Sequence, residues 1–298
     1  MSATDAIIEA AIEDVSITNK HSPLAIRAVE IDEHCVGDRW SVDSEDAITQ
    51  LIAIVAMGQA AYAAAIIRGL YPLGPAFSDI DLCNEAIVHL TVQEGKQTPR
   101  VGYPRWHRDG FMFEVISWLA ARQSNNKNAY LKDPHISATS QGLDGLMIEV
   151  ADDRSAILRT TVFEDKCTDD PRRTFVDKVL PAFKDRHSNA RSAELIATAT
   201  CLLRNAGVDD AASAKMAAAV LNRSTRHYRA SFALTQEHDL GEERKVLFKG
   251  FEGLSGISPN QRIGAGLILE EPIRDWFGRI AASAVMYLEE LKGALTHV

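Results

Sequence analysis

Two stretches rich in β-forming residues, 141–150 (QGLDGLMIEV) and 155–166 (SAILRTTVFEDK), flank a polar turn at 151–154 (ADDR). They read as a β-hairpin, and its charges fix the register. With the turn centred on residue 154, each step away from it advances one residue along both strands. Asp144 then faces Glu164, Glu149 faces Arg159 with opposite charge, and Leu146 faces Val162 while Ile148 faces Thr160. A slip of one residue destroys all these matches. Side chains two apart on a strand share a face, so Glu164 and Lys166 lie on the side of Asp144 and Asp165 on the other. Leu146, Val162 and Phe163 imply a largely buried hairpin, where such charges need a purpose.

Two carboxylates can hold a hard divalent cation such as Mg²⁺ (or Mn²⁺), which keeps several waters and bridges to a phosphate. Lys166, kept charged by the acids beside it, then orients an attacking water or offsets charge on the phosphate oxygens. A helix is expected from about Trp106 to Arg122, with Phe111, Val115, Trp118 and Leu119 on its apolar stripe. Glu114 lies within that stripe, where an unpaired carboxylate is costly, so it needs a metal, a water or a lysine.

Glu114 on a helix, Asp144 in GLDG and Glu164-Asp165-Lys166 in FEDK together resemble the PD-(D/E)xK phosphodiesterase superfamily. The match covers about residues 106–206, and Leu143 replaces the proline before the aspartate. The resemblance implies an α/β fold with a restriction-endonuclease-like core, a mixed sheet flanked by helices, between an N-terminal α/β portion and a C-terminal extension. It also implies that Asp144 and Glu164 are metal ligands, Lys166 the catalytic lysine and Glu114 an auxiliary carboxylate. Within the superfamily the layout is most similar to the nuclease subunits of bacterial anti-phage systems, particularly the Hachiman type, which pair a nuclease with a helicase. The implied activity is metal-dependent hydrolysis of DNA; the alternative is a non-catalytic nuclease-fold subunit that binds DNA or a partner protein.

Around this core, 24–31 reads as a strand, and 41–45 offers caps for a long alanine-rich helix to about Gly69. Residues 86–93 (AIVHLTVQ) and 244–251 (RKVLFKGF) read as β-rich, 123–140 as loop, and 227–235 as a strand. Further helices are expected from Pro171 to about Leu180, over 190–205 and 209–223, and from Ile273 to Leu295. The expected division is 1–100, a nuclease-like core at 101–235, and 236–298 with the closing helix. Asp79 and Asp81 read as helix caps, and Gly264-Ala265-Gly266 lacks the pattern of a dinucleotide loop.

Three basic clusters could meet phosphate. Arg105 and Arg108 stand with Tyr103 and Trp106 in a segment that either grips a nucleic-acid backbone or is a solvated loop around a core tryptophan. Arg172 and Arg173 open the helix after the E-x-K strand. Arg223, Arg226 and Arg229 read as a solvated face.

Asp plus Glu (41) exceed Lys plus Arg (32), and the formal charge of −9 argues against bulk attraction to nucleic acid. A helicase or ATPase partner that delivers the DNA is therefore expected. Cys35, Cys83, Cys167 and Cys201 form no C-x-x-C pair and read as reduced thiols. Asp5, Glu9, Glu13 and Asp14 are the opposite of a signal-peptide layout, and 51–67, which contains Gly58 and Gln59, reads as a buried helix rather than a membrane span. The expectation is a cytoplasmic protein.

Overall fold

The computed structural model describes residues 22–136, 142–240 and 242–296. The four N-terminal acidic residues lie outside them. Strands β1 (Leu24–Glu30) and β2 (Val36–Val42) come first, followed by helices α1 (Glu45–Ala56), α2 (Ala60–Ile67), α3 (Ile80–Leu90) and α4 (Arg105–Ser124). Then come β3 (Ala129–Leu131), β4 (Gly145–Val150) and β5 (Ile157–Lys166), and helices α5 (Pro171–Thr174), α6 (Leu180–His187), α7 (Ser192–Asn205) and α8 (Asp210–Met216). The chain closes with β6 (Arg226–Thr235), α9 (Glu243–Phe248), β7 (Arg262–Leu269) and α10 (Ile273–Thr296).

All seven strands form one mixed sheet, ordered β1-β2-β7-β6-β5-β4-β3. The three central pairings, β2/β7, β7/β6 and β6/β5, are parallel, and the outer ones are antiparallel. Alternation along the strands sends Trp40, Met147, Phe163 and Leu267 to one face, under α1–α4 and α10, and Leu146, Val162, Tyr228 and Phe232 to the other, under α6, α7 and α9. The fold is thus α/β, with helices on both faces of the sheet.

The hairpin has the register its charges require: Leu146 pairs with Val162, Ile148 with Thr160 and Glu149 with Arg159. A bulge between Glu149 and Val150 takes up one residue beside the turn, so Val150 pairs with Ile157, and Arg154 adopts a positive φ of 58° there. Asp170 caps the next helix, with Pro171 in its first turn. That helical run continues past Leu180 through a π-helical turn (Phe175–Val179) into α6, and so carries Arg186 over the hairpin.

Several elements differ from expectation. Residues 86–90 are helical: Asp79 accepts from the backbone N–H groups of Asp81 and Leu82, and Cys83, Ala86 and Leu90 bury one face at helical spacing, overriding the β-preference of Ile87 and Val88. The 244–251 segment is α9 and a short 3₁₀ turn, because Leu247, Phe248 and Phe251 bury on one side. The long alanine-rich helix is two helices, broken at Gly58 (φ +78°), with the Gln59 side chain bonded to Ala76 N and Phe77 O at 2.8 Å each. The 123–140 stretch contains β3, and the 209–223 helix ends at Met216 in favour of a 3₁₀ turn. β2 and the central strand β7 are additional. A Cβ on Gly264 of β7 would lie 2.5 Å from Phe248 Cε2 and 2.7 Å from Ile31 Cδ1, so the glycine there admits packing against the sheet.

All four cysteines are free of disulfides. Among the described residues, no helix is long and apolar enough to cross a membrane.

Candidate active site

Asp144 immediately precedes β4, and Glu164 and Lys166 end β5 on the same sheet face. The Lys166 ammonium lies 2.5 Å from Asp144 Oδ2 and 2.9 Å from Glu164 Oε2, so both carboxylates converge on one nitrogen. Asp144 Oδ2 also accepts from the Asp165 backbone N–H at 3.0 Å, which fixes its orientation. Glu164 is buried, and Asp144 and Lys166 are about a quarter exposed, leaving an approach from solvent.

Two residues complete the group. Arg186, 2% exposed, reaches Glu164 Oε1 at 3.7 Å and Glu194 Oε2 at 3.3 Å. Glu194 accepts at 2.8 Å from the N–H of Leu143, the residue before Asp144. Gly142, with φ +143°, leaves room there: a Cβ on it would lie 3.1 Å from Glu194 Oε1.

Burial pushes the Glu164 carboxyl above its ordinary range; Lys166 opposes the shift and Asp144 adds to it. Burial alone would lower the Lys166 ammonium, but Asp144 and Glu164 outweigh it and hold the group above the ordinary lysine value. It therefore stays protonated across neutral pH. Asp165 points to the opposite face, where it accepts from Ser117 Oγ at 2.7 Å and lies 3.9 Å from Arg229. Its carboxyl is pushed up to about 6, by burial first, with Arg229 opposing and Asp144 adding.

Among the described residues, no group of three or more His, Cys, Asp or Glu side chains is placed to hold a metal. Asp144 and Glu164 supply two hard oxygen donors on one face. The charge of the buried Glu164 carboxylate is met within the protein by Lys166 at 2.9 Å and Arg186 at 3.7 Å. A hydrated Mg²⁺ or Mn²⁺ uses one or two carboxylates, so the donor set fits such an ion.

Glu114 accepts from the His135 backbone N–H at 2.8 Å and lies 3.0 Å from His135 Nδ1, tying α4 to the segment leading into β4. Of the four arginines expected to meet nucleic acid, Arg105 and Arg173 are exposed. Arg108 is buried and held by Asp109 at 2.6 Å, and Arg172 donates to the carbonyls of Leu247 and Lys249 at 3.0 and 2.6 Å. Trp106 is 59% exposed rather than a core residue. Arg226 and Arg229 are buried, not a solvated face: Arg226 donates to the carbonyls of Val220 and Arg186, and Arg229 covers the Phe163 ring at 3.8 Å. Arg186 and Glu194 carry no motif spacing to Asp144; their only sequence signal is a charge bordering an apolar stripe, Phe183 before Arg186 and Leu195 after Glu194.

No protein-family model matches the chain, and no curated protein matches it.

Proposed function

We propose that this protein is a metal-dependent nuclease with a PD-(D/E)xK core, hydrolysing phosphodiester bonds of DNA as the effector of an anti-phage assembly. The observation that carries the reading is the convergence of Asp144 and Glu164 on Lys166 at the end of one hairpin. The order of elements supports it: helix α4 with Glu114, the hairpin, a helical crossover, then β6 parallel to β5.

Asp144 and Glu164 would hold Mg²⁺ or Mn²⁺, which supplies Lewis acidity toward a phosphoryl oxygen and a more acidic water. The Lys166 ammonium, permanently charged, orients the attacking water or offsets charge developing on the phosphate. Arg186 neutralises Glu164 from the protein side, and Glu194 holds Leu143 so that Asp144 keeps its place. Arg105 and Trp106, both exposed at the start of α4, are suited to backbone contact and base stacking. The net charge of −9 fits a nuclease handed its substrate by a helicase or ATPase subunit.

One observation favours a second reading, a non-catalytic subunit that binds DNA or a partner: the Lys166 ammonium already neutralises both carboxylates. Incubation of end-labelled DNA with the purified protein in Mg²⁺ or EDTA separates the two. The nuclease cleaves only with the metal, and Asp144→Ala, Glu164→Ala and Lys166→Ala each abolish cleavage while circular dichroism is unchanged. Full cleavage by all three variants, or none by the wild type, overturns the assignment.

A further inference from the structure

A basic cleft lies apart from the carboxylate cluster. It encloses about 660 Å³ between α2, the end of α4, β3 and α7. Arg68, Arg122, Lys127 and Lys132 line it against one carboxylate, Asp133, among the described residues, in a chain whose overall charge is −9. A smaller cavity of about 200 Å³ shares Arg68, Arg122 and Lys127 and extends the basic wall.

The cations are only partly answered by the protein. Arg122 Nη2 reaches Leu131 O at 3.0 Å and Asp133 at 3.5 Å, but its buried Nε has no hydrogen-bond partner. Burial depresses the Arg122 guanidinium; Asp133 counters this, and the charge of Arg68 adds to it. Arg68 and Lys127 are exposed. Like charges crowded in a cleft favour an anion between them.

The cleft also leads to the carboxylate cluster. Thr198, Cys201 and Asn205 line it from α7, and the same helix face continues one turn, about 6 Å, to Glu194, which holds the residue before Asp144. From the other wall, Lys132 Nζ lies 3.4 Å from His135 Nε2, and His135 neighbours Gly142.

We infer that this cleft is the track of the nucleic-acid backbone, with Arg68, Arg122, Lys127 and Lys132 contacting successive phosphates and directing the strand along α7 toward Asp144 and Glu164. The inference rests on the reading of that cluster as a phosphodiester-cleaving centre, and names its substrate-binding surface. The α7 wall of the cleft, from Thr198 to Asn205, runs about 10 Å, room for about three phosphates of one strand.

The test is fluorescence anisotropy in EDTA, at low salt, with one oligonucleotide as single strand and as duplex. Arg68→Glu/Lys127→Glu should weaken binding about tenfold or more for whichever probe the wild type binds, and lower the slope of log K against log salt by about 0.7 per lost contact on single strand or 0.9 on duplex. Arg27→Glu/Lys245→Glu, two exposed cations outside the cleft lining, carries the same charge change and should stay within about twofold. Equal weakening by the two pairs, wild-type affinity in the cleft pair, or no binding by the wild type overturns the inference. Cleavage in Mg²⁺ separates it from the reading beneath: a wild type that binds through the cleft without cutting removes the nuclease and leaves the track, whereas undiminished binding and cutting by the cleft pair do the reverse.

Discussion

Lys166→Met removes the ammonium that two carboxylates share and keeps the length of the stem. Asp144 Oδ2 loses a contact at 2.5 Å and Glu164 Oε2 one at 2.9 Å, and Glu164 is the more deeply buried. Removing one partner from a buried ion pair costs about 3–5 kcal/mol, and partial exposure of Asp144 and Lys166 places this case at about 3 kcal/mol. Arg186 remains near Glu164 at 3.7 Å, a longer contact that replaces the lysine only in part. The carboxyl of Glu164, already raised by burial, rises further in the variant. A group with a raised folded pKa favours the fold while protonated and loses that contribution as pH climbs through the folded value. The deficit of the variant is therefore larger at pH 8 than at pH 5. Urea unfolding followed by tryptophan fluorescence in EDTA reads it directly. Mg²⁺ at ten times its dissociation constant should then return about 1.4 kcal/mol to the variant. A deficit under about 1 kcal/mol at pH 8, or one that does not shrink on acidification, refutes the view that Lys166 is the counter-charge of this pair.

Other positions give independent checks. Asp165, buried and pushed up to about 6, stabilises the fold when protonated and loses that contribution as pH rises from its unfolded value through 6. Relative to Asp165→Asn, the wild type should lose about 2 kcal/mol between pH 4 and pH 7 in urea titrations, and parallel profiles would exclude the effect. Gly264→Ala drives a methyl against the Phe248 ring and should cost about 1–3 kcal/mol by calorimetry, part of it recovered by Phe248→Leu. Glu194→Gln keeps an acceptor for Leu143 N but loses the charge facing Arg186, so it should lower kcat for DNA cleavage with KM unchanged. Glu194→Ala should lower kcat further, by leaving Asp144 without its anchor.

The hairpin was legible because its information is local: alternation fixes the faces, and the Glu149–Arg159 pair fixes the register that brings Asp144 to Lys166. Helices α4 and α10 were legible for the same reason, each having an apolar stripe at one period. β7 was not, since a strand covered on both faces has no alternation, and its glycines Gly264 and Gly266 obscure its β-character. The 86–93 and 244–251 segments carry β-formers that tertiary packing holds as helix. Arg186 and Glu194 reach the site from α6 and α7 across the sheet face, a juxtaposition set by the crossover and not by any spacing. The fates of Arg108 and Arg172 were equally hidden, because Asp109 and the carbonyls of Leu247 and Lys249 that engage them are chosen by packing.

Mn²⁺ titration by isothermal calorimetry, at neutral pH and without nucleic acid, addresses the carboxylate pair with no dependence on substrate or partner. The wild type should take up one ion per chain, and Asp144→Asn/Glu164→Gln should take up none while unfolding as cooperatively as the wild type. Equal uptake by both proteins, or no uptake by either, would contradict a cation seat at the end of this hairpin.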